Sequence, residues 1–437
     1  MYLGRLLFLF SRLALVVPSS FAQCPEKPYD GHIPTRVFQP ILPQSATTAS
    51  LVNPIGRNPL PPVLKIVAMG DSVVWGNGLT NQEKFIELTG QSLANQTQRT
   101  VQIVSFAHSG AKLSDTSGGF VDIISSDNNT PQGDLNAGSP TTSQQIDCAS
   151  RDHGDAEVVV IDGCINEVGA YQIALPFPFN STTKEDVDQR AFKWCSTPMR
   201  DAVTKVKSNF SSATVIVLDY YRVVSPASSP VRKVNGTGSN GSSPSELDRV
   251  LKEELKLEQS AAGAPATRSL GAPRPQAWPE NSAAFFMTSE NCFKWAIAGR
   301  VPLSNAGSDQ DPVCPVTTSM PVQTPDSVKN GDRVFLATVP DKDEYAYGAP
   351  KKHLWSLPIR YWFFGFHVAR SDDMYKIRWP LCQNHYQDDK DRLVCSVNPI
   401  AHPNVQGAKA YACSIIHDPK LPCENASGIL DQAWRRP

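Results

Sequence analysis

The sequence predicts an α/β fold built on a parallel sheet, on three observations. Five short apolar runs rich in β-branched residues occur in order, at 64–69, 100–107, 156–161, 213–223 and 333–340. Stretches with helical spacing separate most of them, the pattern of right-handed crossovers between parallel strands. The first three runs also end in loops carrying Ser, Gly and Asn, and in open α/β sheets the ligand crevice lies outside the carboxyl ends of the strands.

The chain opens with Arg5, an apolar stretch at 6–17 interrupted by Ser11 and Arg12, then Pro18 and the small-residue site Ser20-Phe21-Ala22 before Gln23. That is the pattern of a signal peptide over 1–22, and the run is shorter than the ~20 residues a membrane span needs. Residues 23–62 are rich in Pro, Ser and Thr without periodicity, which predicts an extended arm. The run 64–69 (LKIVAM) has the length of a buried strand and stops at Gly70-Asp71-Ser72. Residues 81–95 place Phe85, Ile86, Leu88 and Leu93 at helical spacing, with Gly90 a weak point. The second strand leads into His108-Ser109-Gly110, and a polar stretch at 115–138 precedes a short helix near Cys148. The third strand runs into Asp162-Gly163-Cys164-Ile165-Asn166, and 184–210 is expected to be helical before the fourth strand.

Ser/Pro/Gly-rich tracts at 225–243 and 261–279 flank an amphipathic segment at 244–259, capped by Ser243 or Ser245. The whole of 225–325 is expected to be an elaboration between core strands within one domain spanning 63–437. After the fifth strand, residues 354–379 are dense in aromatics, a composition that packs a core or walls a cleft. Residues 405–416 predict a helix with Pro403 near its first turn and His402 just ahead of it.

Composition excludes some classes of partner. Lys plus Arg (41) balances Asp plus Glu (42) without a long one-sign run, so no nucleic-acid footprint exists. No other segment is apolar and long enough to span a bilayer, so a soluble protein outside the cytosol is expected. Ten scattered cysteines lack the tight pairs of a zinc site and predict disulfides, with Cys382–Cys395 and Cys413–Cys423 as neighbours in sequence. Seven Asn-x-Ser/Thr sequons, at Asn95, Asn128, Asn180, Asn209, Asn235, Asn240 and Asn425, agree with export, and their asparagines are expected on exposed loops or helix ends. No cofactor or metal is expected, and a monomer is.

Ser72, Gly110, Asn166 and His402 then stand at successive loop edges. Together they form a kit for acyl transfer: a serine hydroxyl needs a base such as a neutral imidazole to take its proton. The oxyanion needs preorganised donors, here the Ser72 and Gly110 backbone N–H groups and the Asn166 amide. The blocks Gly70-Asp71-Ser72, Gly110, Gly163-x-x-Asn166 and His402-Pro403-Asn404 resemble, in order, those of the SGNH (GDSL-type) esterases and lipases. The resemblance spans 64–416 and implies a three-layer α/β/α, flavodoxin-like fold with a mostly parallel five-stranded sheet. It also implies hydrolysis of carboxylic esters through an acyl-serine intermediate, with the roles just named.

Two positions depart from that pattern. Where the family carries a triad aspartate three residues before its histidine, this chain has Pro399. The Pro399 backbone carbonyl or the Asn398 side chain is the expected acceptor for the imidazole N–H, as in a Ser-His dyad, and Asp388, Asp389 and Asp391 are candidates from further back. Glu167 stands where the family has aspartate, which keeps the charge. His108 is weighed as a cleft residue and as a structural one, and Cys164 is expected in a disulfide. The leading reading is a secreted serine esterase acting on a carbohydrate, lipid or phenolic ester. The alternatives are an acyltransferase on the same scaffold and a non-catalytic glycan- or lipid-binding protein.

Overall fold

The computed structural model describes residues 35–41, 62–114, 140–169, 173, 182–223, 225, 277–298, 314, 333–339, 342, 345–346, 351, 353–354, 359–362, 365–368, 380, 382–384, 387, 401–419, 421, 423 and 428–430. A sheet of six strands forms its centre, made of β1 (Thr35–Phe38), β2 (Leu64–Met69), β3 (Val101–Ser105), β4 (Val158–Ile161), β5 (Thr214–Leu218) and β6 (Val334–Ala337) in the spatial order β1-β3-β2-β4-β5-β6. Strands β2 to β6 are all parallel to their neighbours, and β1 alone runs antiparallel, Thr35 opposite Val104. The five expected strands are therefore present and a sixth joins them. Part of the arm expected at 23–62 is β1, whose exposed face gives almost no hydrophobic signal.

The parallel strands are buried on both faces, which explains why they read as continuous apolar runs instead of alternating ones. Leu64, Ile66, Val67, Ala68 and Met69 in β2 and Val158, Val159, Val160 and Ile161 in β4 are all fully buried, and each of these side chains larger than alanine contributes about 1.5–3 kcal/mol of transfer free energy. Two helical layers cover them. On one face α2 (Phe85–Thr97) packs with the C-terminal helix, while on the other α3 (Thr142–His153), α5 (Lys184–Cys195), α6 (Thr197–Asn209) and α7 (Ala277–Ile297) pack together. Right-handed crossovers demand this division, because the chain moves one way from β2 to β3 and the other way from β3 onward.

The helices expected at 184–210 are two, α5 and α6, parted at Ser196 ahead of Thr197-Pro198, since proline suits a helix's first turn but not its interior. Helix α7 lies within the expected elaboration, yet Phe285 and Phe293 are fully buried against Tyr220 just past β5. A hairpin, β7 (Ile359–Trp362) with β8 (Gly365–Val368), occupies part of the aromatic stretch. The expected signal peptide and the amphipathic segment at 244–259 lie outside the described residues.

Bridges join Cys164 to Cys195, Cys292 to Cys314 and Cys413 to Cys423. Cys148 and Cys382 are disulfide-bonded as well. Of the sequon asparagines, Asn95 lies in the last turn of α2 and Asn209 ends α6, and the other five fall outside the described residues. Among the described residues no helix is long and apolar enough to cross a membrane.

Candidate active site

In order of appearance the parallel strands lie 2-1-3-4-5, so the order reverses between β2 and β4, the switch point where such sheets bind ligands. The Gly70-Asp71-Ser72 turn stands there. Gly70 leaves β2 at φ +143°, and a Cβ on it would fall 1.8 Å from Asp162 Oδ1, so only glycine fits. Asp71 caps the single turn α1 (Ser72–Trp75), its Oδ1 accepting from the Val73 amide at 2.8 Å. Ser72, 4% exposed, opens that turn.

Ser72 Oγ lies 2.6 Å from Nε2 of His402, across 330 residues of sequence. His402 occupies a turn between Ala401, at φ +64°, and helix α8 (Val405–Ile415), which Asn404 caps by accepting from the Gln406 and Gly407 amides. A second segment braces the turn. The Asn404 amide donates to the His353 carbonyl at 2.8 Å, and Leu354 bridges to Pro403. Helix α8 accommodates this contact through Gly407, where a Cβ would meet the His353 oxygen at 2.2 Å.

The loop after β3 runs beside the Ser72 turn, with the Phe106 amide bonded to the Ala68 carbonyl and the His108 amide to that of Gly70. Gly110 follows at φ +78°, and Asn77, just past α1, donates to the Ser109 hydroxyl at 3.0 Å. Asn166 sits in the short turn α4 (Ile165–Val168), and its Nδ2 donates to the Ala111 carbonyl at 2.8 Å. An amide nitrogen carries two N–H donors, so this bond does not exhaust it. The neighbouring Glu167 accepts from the Leu113 amide, and burial pushes its carboxyl up to about 7. Residues 166 and 167 thus pin both ends of the 111–113 segment. The bridge from Cys164 to Cys195 in turn ties α4 to α5.

Ser72 and His402 are in contact, and Asn166 reaches the residue next to Gly110. His108 is 1% exposed, with ring nitrogens facing the Ser109 and Pro140 carbonyls, so it braces the loop. Asn398, Pro399, Asp388, Asp389 and Asp391 lie outside the described residues. Among the described residues no cluster of three His, Cys, Asp or Glu side chains is arranged to hold a metal ion.

Sequence reasoning missed the support beneath Ser72. Asp162 Oδ1 accepts from the Asp71 amide at 2.7 Å, Tyr220 donates to Asp71 Oδ2 at 2.8 Å, and Gln145 exchanges hydrogen bonds with both the amide and the carbonyl of Gly70. A carboxylic acid directly after an all-apolar strand, as at Val158–Ile161 followed by Asp162, was the available signal.

No protein-family model and no curated protein matches the chain. Solved structures do. A phospholipase A1 from Streptomyces albidoflavus is 19% identical over 46% of this chain and 74% of its own, with a TM-score of 0.22. A lipase from a goat rumen metagenome is 17% identical over 51% and 98%, with a TM-score of 0.25. An extracellular lipase from Streptomyces rimosus is 15% identical over 52% and 98%, with a TM-score of 0.24.

Proposed function

We propose that this chain is an exported serine esterase of the SGNH (GDSL) type, hydrolysing carboxylic esters through an acyl-serine intermediate. The observation that carries the reading is the 2.6 Å contact between Ser72 Oγ and His402 Nε2 at the switch point of the sheet. In the first step His402 Nε2 takes the hydroxyl proton as Ser72 Oγ attacks the ester carbonyl. The negative charge moves to the carbonyl oxygen, met by the Ser72 and Gly110 backbone N–H groups and by Asn166. The imidazolium returns its proton to the departing alcohol. Water, activated by the same ring, then frees the acid and restores the serine.

Nucleophile and base act as a dyad in this reading, with the Pro399 carbonyl or the Asn398 side chain fixing the imidazole tautomer. A neutral acceptor stabilises the imidazolium less than a carboxylate does, so the base is assisted less strongly than in a full triad. The bridges support an oxidising compartment.

The test is a fluorophosphonate probe on the purified chain, together with a panel of acetylated-sugar, lipid and phenolic esters. Labelling at Ser72, lost in Ser72→Ala along with turnover, is expected. Turnover that survives Ser72→Ala overturns the reading.

A further inference from the structure

We propose that Asp162 is a positioning residue that holds the nucleophile turn through a proton shared with Asp71. This rests on the reading of Ser72 as nucleophile. Both carboxyl groups are fully buried and within reach of a shared hydrogen bond, the Asp71 amide donates to Asp162 Oδ1 at 2.7 Å, and neither forms an ion pair with a lysine, arginine or histidine among the described residues. Two carboxylates so placed do not both ionise, because each anion lacks water and repels the other.

The hydrogen bonds say which oxygen holds the proton. Asp71 accepts from the Val73 amide and the Tyr220 hydroxyl, the environment of an anion that also caps α1. Asp162 Oδ1 accepts from the Asp71 amide and the Val74 amide also faces this carboxyl, whereas Oδ2 is buried without a hydrogen-bond partner. Placing the proton on Oδ2 and donating it to Asp71 satisfies that oxygen and completes the anion's shell. The titratable groups facing the pair from other elements are Tyr220 past β5, Tyr411 on α8 and Glu167 on α4, all neutral or negative, so none of them draws the proton away. Burial holds the Asp162 carboxyl well above the ordinary carboxylate range, and the nearby Asp71 charge adds to it.

The consequence falls on Ser72. Its turn begins at Asp71, and Asp71 is fixed at its amide and at its carboxylate by the same neighbour. Loss of the shared proton sets two anions against each other under the nucleophile.

The test compares Asp162→Asn and Asp162→Ala with the wild-type chain, reading the rate of fluorophosphonate labelling and the thermal midpoint from pH 6 to 10. Asparagine accepts through Oδ1 and donates through Nδ2, giving the same bonds with no proton to lose. Asp162→Asn is therefore expected to label within about threefold of wild type and to lack the wild type's alkaline decline, while Asp162→Ala labels about 10²-fold more slowly. Because the folded pair keeps a proton that the unfolded chain releases, its stabilising contribution is lost as pH rises, and the wild-type midpoint should fall more steeply than that of Asp162→Asn.

An Asp162→Asn variant as slow as Asp162→Ala, or one that keeps the alkaline decline, overturns the proposal. If the alanine variant does not fold, the asparagine pH profile decides alone. If wild type is not labelled at all, the esterase reading falls, and the two midpoint curves still decide whether the proton is shared: parallel curves overturn it.

Discussion

At Ser72 the proposed chemistry depends on a few ångströms of backbone, and substitutions nearby would separate catalysis from support. Asn166→Ala removes one proposed oxyanion donor and is expected to lower kcat by about 10²–10³-fold with little change in KM, as read by steady-state hydrolysis of an aryl ester. Glu167 yields a pH prediction. Its carboxyl titrates near 7 in the fold against an ordinary value of 4.5, so its stabilising contribution is complete below pH 4.5 and is lost as pH rises through 7. Glu167→Gln should flatten the fall in stability over that window by at most about 3 kcal/mol, measured by urea unfolding at several pH values. The contact between Ser72 and His402 was legible in the sequence because a serine and a histidine at strand-to-loop edges are the parts that acyl transfer needs. Asp162 was not, since its importance arises only when β4 is seated beside β2 and the Gly70 turn crosses its carboxyl.

Among the elements, α8 offers an instructive conflict. Gly407→Ala would ordinarily favour a helix by about 1 kcal/mol, yet here a Cβ meets the His353 carbonyl at 2.2 Å. The variant is expected to displace 353–354, release the Asn404 amide and lower kcat about tenfold through a loosened His402, with a lower thermal midpoint in calorimetry. For α4 the expectation concerns the Cys164–Cys195 bridge, with 31 residues of separation. Paired serine substitutions should cost about 3–4 kcal/mol in denaturant unfolding. Strands β2 and β4 were legible because burial on both faces makes them uninterrupted apolar runs. The role of α7 was hidden by its setting: its buried phenylalanines lie just beyond a Pro/Ser-rich tract, and only their packing on Tyr220 marks them as core. Strand β1 was hidden for the opposite reason, being too polar and too exposed to announce a strand.

Across the whole molecule the sheet order explains why one edge of one layer gathers residues from 72 to 402. The proposed export makes its own prediction: expressed in a secreting host, the chain should appear in the medium beginning near Gln23, with a mass above that of the polypeptide, the excess removed by a glycan-cleaving enzyme. Among the described residues strand β1 pairs only with β3, so deleting residues 35–38 should leave the parallel sheet intact while exposing the β3 edge, detectable as concentration-dependent aggregation. The two partners of the 2.6 Å contact stand 330 residues apart. On the proposed reading, a ribosome that has finished Ser72 must add 330 more residues before the base exists, so the nascent chain would be inert toward esters until His402 is made. A protease that clips the chain ahead of His402 would, on the same reading, return it to that silence.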